Sequence, residues 1–381
     1  MNGLRLEVDL SKVGDNAREL VKRAGSRNIS VTAVTKATLG ASDFGRVLCD
    51  AGASGLGDSR IDNIERMRDA GIDTPMLLVR SPMLSQVDRV VRAGVMSVNT
   101  ETQVLTALAF AAQRFGRVHD VMLMVELGDL REGVMPEQLS ETVRHVLGLR
   151  HLHLRGIGTN LACRSGIEPS RGNMGELSAI VQSLETEFGI EIEIVSGGNS
   201  ANLVWALGPN QPGRVNNLRL GETILLGREP LHRRPITGPH TDAITLVAEV
   251  IESQRKPTKP WGRPSQNSFG ETPEIEDRGV IWQTILAVGR QDTDAGDLEA
   301  PDGVDILGAS SDHLVTETRD RMKPGTELRF EPGYSGLLRA MTSPFVAKRL
   351  HSPRTTAQRY AHAPPAQVVP SAISPRRSPG R

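Results

Sequence analysis

The chain predicts a (β/α)8 barrel followed by a mostly β carboxy-terminal domain. Three observations predict it. From about residue 30 to residue 228, short apolar and β-branched runs alternate eight times with helical stretches. After residue 228 the texture changes to β-prone runs separated by turns. A lysine, Lys36, closes the first run of the alternating region, at the strand end where barrels gather their chemistry.

The opening run, residues 4–10, reads as a strand. It is followed by a helix whose Val13, Ala17, Leu20, Val21 and Ala24 share a face. The eight alternating strands are 31–35, 53–57, 76–80, 95–99, 121–127, 152–159, 192–196 and 215–220. Between them, Leu139, Val143, Val146 and Leu147 line one helix face, and Leu177, Ile180, Val181, Leu184 and Phe188 another. Pro136 suits a first helical turn, where no amide donor is needed. Further on, 243–252, 281–288, 304–307, 314–317, 327–331 and 345–350 read as strands, and 253–279, rich in Pro, Gly and charge, as an exposed loop. The domain reading is therefore a barrel over 1–228, with 1–10 open to joining the second domain, and a β domain over 229–350. Residues 351–381 are proline-rich and lack acidic side chains, which predicts a disordered tail.

Composition excludes several classes. With 381 residues the chain can bury one large core and a smaller second one. Lys plus Arg and Asp plus Glu both number 45, so no net field draws nucleic acid or anionic lipid. Aromatics at 3% leave few stacking platforms for single strands. Cys49 and Cys163 lie far apart and read as reduced thiols. No apolar run reaches membrane-spanning length and no leader pattern is visible, so the expectation is a soluble cytoplasmic protein that acts on a small molecule. The nine histidines are scattered and form no metal-ligand spacing.

Lys36 follows the buried-type run Ser30-Val31-Thr32-Ala33-Val34-Thr35. An unpaired ammonium is costly at the mouth of an apolar core. It either snorkels to solvent or serves as an amine for Schiff-base chemistry with a carbonyl cofactor. Gly57-Asp58-Ser59-Arg60, Gly128-Asp129-Leu130-Arg131-Glu132-Gly133 and Gly158-Thr159-Asn160 follow the second, fifth and sixth strands. Ser196-Gly197-Gly198-Asn199-Ser200 follows the seventh and opens a helix, a turn that aims amides at an anion. Asn217-Leu218-Arg219-Leu220-Gly221-Glu222 ends the eighth. Loops after strands seven and eight are the usual phosphate site of a barrel.

With these segments, the chain resembles the fold-type III pyridoxal-phosphate enzymes of the alanine racemase superfamily, most closely the ornithine racemase branch. Ser310-Ser311-Asp312-His313 and Gly336-Leu337-Leu338-Arg339-Ala340-Met341-Thr342-Ser343-Pro344 extend the resemblance to roughly residues 4–350. It implies pyridoxal 5′-phosphate held on Lys36 as a Schiff base, with Lys36 also the base on one face of the substrate. Ser200 and the amides of Gly221 and Glu222 would bind the phosphate, and Arg131 would contact the phenolic oxygen. Asn160 would stand where alanine racemases carry a histidine, and Arg219 would face the pyridine nitrogen. An arginine there stays charged and cannot share its proton as a carboxylate could. The ring is then a weaker electron sink, which favours return of a proton to the α-carbon and so racemisation over transamination.

The resemblance also has gaps. The segment Val288-Gly289-Arg290-Gln291-Asp292 lacks the tyrosine that alanine racemases place there as second base. Met124 stands where many carry a carbamylated lysine, and Ser343 near a phosphate-binding tyrosine. The second acid is open among His313, Asp312, Cys163 and Tyr334; imidazole changes charge near neutrality, and Asp312 could instead orient the substrate. The resemblance implies a racemase of ornithine or another basic amino acid, acting as a homodimer. The rivals are a cofactor-carrier protein and a decarboxylase or aldolase of the same fold type.

Overall fold

The computed structural model describes residues 3–209, 211–272 and 275–351. Strand β1 (Arg5–Asp9) leads directly into helix α1 (Leu10–Gly25). The Asp9 carboxylate caps that helix, accepting from the Ser11 and Lys12 amides at 2.9 and 3.2 Å. Leu10, Val13, Ala17, Leu20 and Ala24 form its buried face.

Eight parallel strands then close a barrel: β2 (Ser30–Val34), β3 (Gly55–Asp58), β4 (Met76–Leu78), β5 (Met96–Asn99), β6 (His119–Met124), β7 (Leu152–Gly158), β8 (Ile194–Ser196) and β9 (Asn217–Leu220). Closure is made by β2 against β9, with Ser30 opposite Asn217 and Ala33 opposite Leu220. The connecting helices are α2 (Ser42–Asp50), α3 (Ile61–Asp69), α4 (Val87–Ala93), α5 (Thr102–Arg114), α6 (Pro136–Leu147), α7 (Arg171–Phe188), α8 (Asn202–Leu207) and α9 (Glu222–Leu226). Pro136 does open α6, and its buried face is Leu139, Val143 and Val146; Leu147, expected on that face, is exposed at the helix end. Helix α7 starts with a reciprocal Ser170–Asn173 capping box and ends on Gly189 in the left-handed region, φ 63°.

The barrel interior is filled by Leu77, Val98, Met122 and Met124. Small residues keep it closed: a Cβ on Gly156 would lie 2.7 Å from the Ile194 carbonyl oxygen.

The second domain is built on β10 (Ile244–Pro257), β11 (Val280–Leu286), β12 (Leu298–Glu299), β13 (Val304–Ala309), β14 (Leu314–Thr318), β15 (Glu327–Pro332), helix α10 (Tyr334–Thr342) and β16 (Ala347–His351). The sheet order is β12-β15-β10-β11-β14-β13. Strand β1 joins this sheet, antiparallel to β10 and parallel to β16. Arg5 of β1 is buried and donates to both Glu327 oxygens at 2.6 and 2.7 Å, so the amino-terminal strand is tied to β15.

A further local expectation changes. Residues 253–257 belong to β10 and pair with β11, and Ser253 is buried, because alternate side chains of this polar stretch still face the sheet core. The stretch after β15 forms helix α10, whose Leu337, Ala340 and Met341 recur at helical spacing. The tail reading beyond residue 351 falls outside the described residues.

Candidate active site

Lys36 lies just past β2, at the start of a single 3₁₀ turn, Lys36–Thr38. Thr35 and Asp58, both fully buried, anchor this turn to the neighbouring strand. Thr35 Oγ1 donates to Asp58 Oδ2 at 2.8 Å, while Asp58 Oδ1 accepts from the Arg60 amide and Asn63 Nδ2 at 2.9 and 3.0 Å. Burial raises the Asp58 carboxyl above its usual range against these hydrogen bonds. The chain then turns through Leu39 and Gly40 with φ of 55° and 62°; at Gly40 a Cβ would sit 2.6 Å from Asn63.

Strand ends across the barrel supply the opposite wall. Ser200 is buried, and its Oγ lies 3.3 Å from the amides of Gly221 and Thr223 and 3.1 Å from Thr223 Oγ1. Ser200 Oγ accepts from both amides, so two N–H groups and two hydroxyls cluster at this strand end, group types that bind an anion. Gly198 makes the approach possible with φ of 133°.

Arg219, on β9, is 5% exposed. It donates to the Thr159 carbonyl at 2.7 Å, to Asn160 Oδ1 at 3.3 Å and to Ser196 Oγ. Burial, with the nearby Arg131 charge, lowers its guanidinium to about 10, so it remains charged at neutral pH.

The loop carrying Arg131 is held by two buried carboxylates. Glu126 accepts from the amides of Gly128, Leu130 and Arg131 at 2.7, 3.0 and 3.2 Å. Asp129 accepts from Cys163, Arg164 and Ser165, each N–H at 3.0–3.2 Å from its nearer carboxylate oxygen, and so ties this loop to the one after β7.

Lys36, Arg131, Asn160, Ser200, Arg219, Gly221 and Glu222 all line one cavity, of about 730 Å³ including its open mouth. Met124, Cys163, Asn199 and Tyr334 complete the lining that bears on the chemistry. Lys36 Nζ stands 5.7 Å from the centroid of the Tyr334 ring. Asp312 and His313 do not reach this cavity in their own chain. They occupy the turn between β13 and β14, where Asp312 accepts from Gln291 Nε2 and the His313 amide donates to Ser310 Oγ at 3.2 Å. Sequence reasoning passed over Glu126 and Thr223, and quoted Asp129 within its strand-end motif without giving it a role. Only Asp129, which follows Gly128 in a strand-end loop, carried a local signal.

The donor set fits a phosphorylated aromatic aldehyde. An amine and an anion-binding group open on one cavity, a fixed cation backs it, and Asn160 there has a buried amide nitrogen, Nδ2, with no partner. A closed barrel with this rim, joined to a β domain, defines the fold-type III class of pyridoxal-phosphate enzymes.

Comparison with known proteins narrows the class. The alanine racemase N-terminal domain family matches residues 8–229. Ornithine racemase from Acetoanaerobium sticklandii is 36% identical over 91% of this chain and 99% of its own length. Lysine racemase from Thermotoga maritima is 39% identical over 90% of this chain and 97% of its own. Among solved structures, alanine racemase from E. faecalis superposes with a TM-score of 0.69 at 18% identity, covering 92% of this chain and 98% of that one, and so shares the fold. The chain belongs to the alanine racemase family. It is accordingly an isomerase, an amino-acid racemase dependent on pyridoxal phosphate.

Proposed function

We propose that the protein interconverts the L and D forms of a basic amino acid, ornithine or lysine. The observation that carries the reading is a buried, charged Arg219 sharing one cavity with Lys36 and Ser200. Identity to the ornithine and lysine racemases over nearly their whole lengths supports the substrate class.

In this reading Ser200, with the amides of Gly221 and Glu222, binds the phosphate. Arg131 meets the phenolic oxygen and Asn160 the ring. Pyridoxal phosphate, when bound, supplies a conjugated carbonyl that acidifies the α-hydrogen of an attached amino acid. Lys36 Nζ accepts that proton on one face. Arg219, charged and already donating to three acceptors, has no reason to give up a proton and would present a fixed cation, not a shared proton, to the ring. The protonation events are thereby kept at the α-carbon. Met124, Val79 and Val98 line the floor and exclude water.

The proposal includes a cytoplasmic homodimer. The thiols of Cys49 and Cys163 are free, which suits a reducing compartment, and no described helix is long and apolar enough to cross a membrane. Asp312 and His313, exposed on the β domain, are proposed to act on the site of the second copy, orienting the substrate there.

The test incubates the purified protein with L-ornithine, L-lysine and L-alanine separately in heavy water. The reading expects loss of optical rotation and α-deuteration with one or both basic amino acids. Release of carbon dioxide or an aldehyde selects a decarboxylase or aldolase. No exchange with a broad panel selects a cofactor carrier. Borohydride is expected to fix the cofactor on the peptide containing Lys36.

A further inference from the structure

A basic amino acid brings two amines, and the cofactor carbonyl takes up only the one on the α-carbon. The distal ammonium needs an anion, because an unpaired charge is costly among apolar walls. Most of the cavity is a poor host for it. Arg131 and Arg219 line the cavity as fixed cations, which suit phosphate and carboxylate and repel a further positive charge. Among the described residues that line it, one carries a carboxylate: Glu222.

Glu222 opens α9 directly after β9, and its side chain is 16% exposed. The carboxylate lies toward the amine end of the cavity. Lys36 is among the charges that act on it, and after burial its own charge is the foremost influence on the Tyr334 phenol, whose ring lies 5.7 Å from Lys36 Nζ. Burial raises the Glu222 carboxyl above its ordinary range, opposed by Arg233 and Lys36 and reinforced by Asp297 and Glu229. This end is therefore the acidic one. Only one oxygen of Glu222 is taken: Oε1 accepts from Arg233 Nη1, and among the described residues no hydrogen bond reaches Oε2. A carboxylate has room for further donors. Arg233 comes from the solvent side, 56% exposed, on a turn that does not depend on Glu222. Buried Glu229 holds that turn, accepting from the amides of Leu231, His232 and Arg234 at 2.8, 3.0 and 2.9 Å.

We propose that Glu222 determines specificity for a basic side chain, its free Oε2 accepting the distal ammonium of ornithine or lysine while Arg233 keeps Oε1. Resting on the racemase reading, this names the side chain that selects the substrate class. The ammonium gains a charge-assisted hydrogen bond at the acidic end of the cavity. An amino acid with an uncharged side chain leaves that oxygen unsatisfied and is discriminated against. The phosphate is not disturbed by the same carboxylate, because its proposed binding uses the Glu222 amide, and Arg233 offsets the side-chain charge.

The test compares ornithine with norvaline, which has the same carbon chain without the distal amine, in wild-type holoenzyme and in Glu222→Gln. Two ratios are read: kcat/KM for the two amino acids, and their binding constants from the change in cofactor absorbance. A loss of cofactor affinity acts on both substrates and cancels in each ratio. The expected result is a preference for ornithine that falls about ten- to a hundredfold in Glu222→Gln, carried mainly by KM. Glu222→Asp retains part of the preference. Arg233→Ala retains all of it or raises it, because the competing cation is gone. A preference in Glu222→Gln within about threefold of wild type overturns the assignment. So does an equal fall in Arg233→Ala, which reduces Glu222 to an anchor for the neighbouring turn. Collapse of the preference in Asp312→Asn, with Glu222→Gln unaffected, also overturns it and moves the ammonium site to the second copy. Should Glu222→Gln fail to fold, ornithine and norvaline are compared as protectants of Glu222 against carbodiimide labelling of the wild-type protein; equal protection overturns the proposal. A wild-type protein that exchanges no basic amino acid sinks the racemase reading itself, a separate result from an active Glu222→Gln that still prefers ornithine.

Discussion

Asp129 has no exposed surface, and its carboxylate accepts three backbone N–H groups from the loop after β7. Asp129→Ala removes all three acceptors at once. Each hydrogen bond to a charged group contributes about 1.5–3 kcal/mol, and the abandoned amides face partial desolvation. Relaxation of two surface loops and entry of water recover part of this, leaving a loss of about 3–5 kcal/mol. At this chain length that corresponds to a melting point lower by roughly 4–7 °C. The loss is not only one of stability. Asp129 joins the loop bearing Arg131 to the loop bearing Cys163, and both residues line the cavity, so kcat/KM is expected to fall at least about tenfold even well below the melting point. Asp129→Asn keeps one acceptor oxygen and is expected to fall between wild type and Asp129→Ala. Scanning calorimetry of the apoprotein and racemisation of ornithine at about 20 °C measure the two effects. A melting point within about 2 °C of wild type, with activity within about twofold, would refute the idea that this carboxylate holds the rim together.

Three further outcomes follow from the same structure. Ser200→Ala is expected to weaken pyridoxal-phosphate affinity about tenfold with little change in the melting of the apoprotein, because it removes one hydroxyl donor from the anion-binding group; fluorescence titration of apoprotein with the cofactor reads it. Gly133→Ala would place a Cβ 2.6 Å from the Glu126 amide nitrogen, a backbone clash expected to cost about 1–3 kcal/mol in urea unfolding and to disturb the Arg131 loop. His119 is 3% exposed, hydrogen-bonds Ser97 Oγ at 2.9 Å, and is held by burial at about 4 rather than 6.5. The unfolded chain binds the proton that the fold refuses, so this stabilisation is full above about pH 6.5 and is lost as pH falls toward 4. Unfolding free energies from urea titrations at about pH 7.5 and pH 4.5 should differ by some 2–3 kcal/mol more in wild type than in His119→Asn.

Much of the molecule was legible along the chain because it depends on neighbours in sequence. Strand and helix alternation follows from burial period, and the capping of α7 by Ser170 and its stop at Gly189 are local events. Lys36, Arg131, Asn160, Ser200 and Arg219 each follow or close a strand, and a closed parallel barrel brings such ends to one rim whatever the intervening helices contain. The misreadings were local too. Residues 253–257 look like loop by composition, yet their backbone groups pair with β11, and a polar face toward solvent costs a strand nothing.

By itself, then, the sequence determined the barrel and the amine at its first strand end, which rest on patterns confined to a few residues around each strand end, while the class of cofactor followed from the family resemblance that those motifs carry. Only the tertiary structure decided what shares the cavity with that amine. Tyr334 is separated from Lys36 by almost the whole described chain, and no spacing rule links them. Their proximity arises because β1 and β16 seal the second sheet beside the barrel and seat α10 on the Lys36 turn. Asp312 and His313, by contrast, do not line the cavity of their own chain. Contacts between distant segments depend on how two cores pack against each other, and that is a property of the folded surface rather than of any stretch of chain.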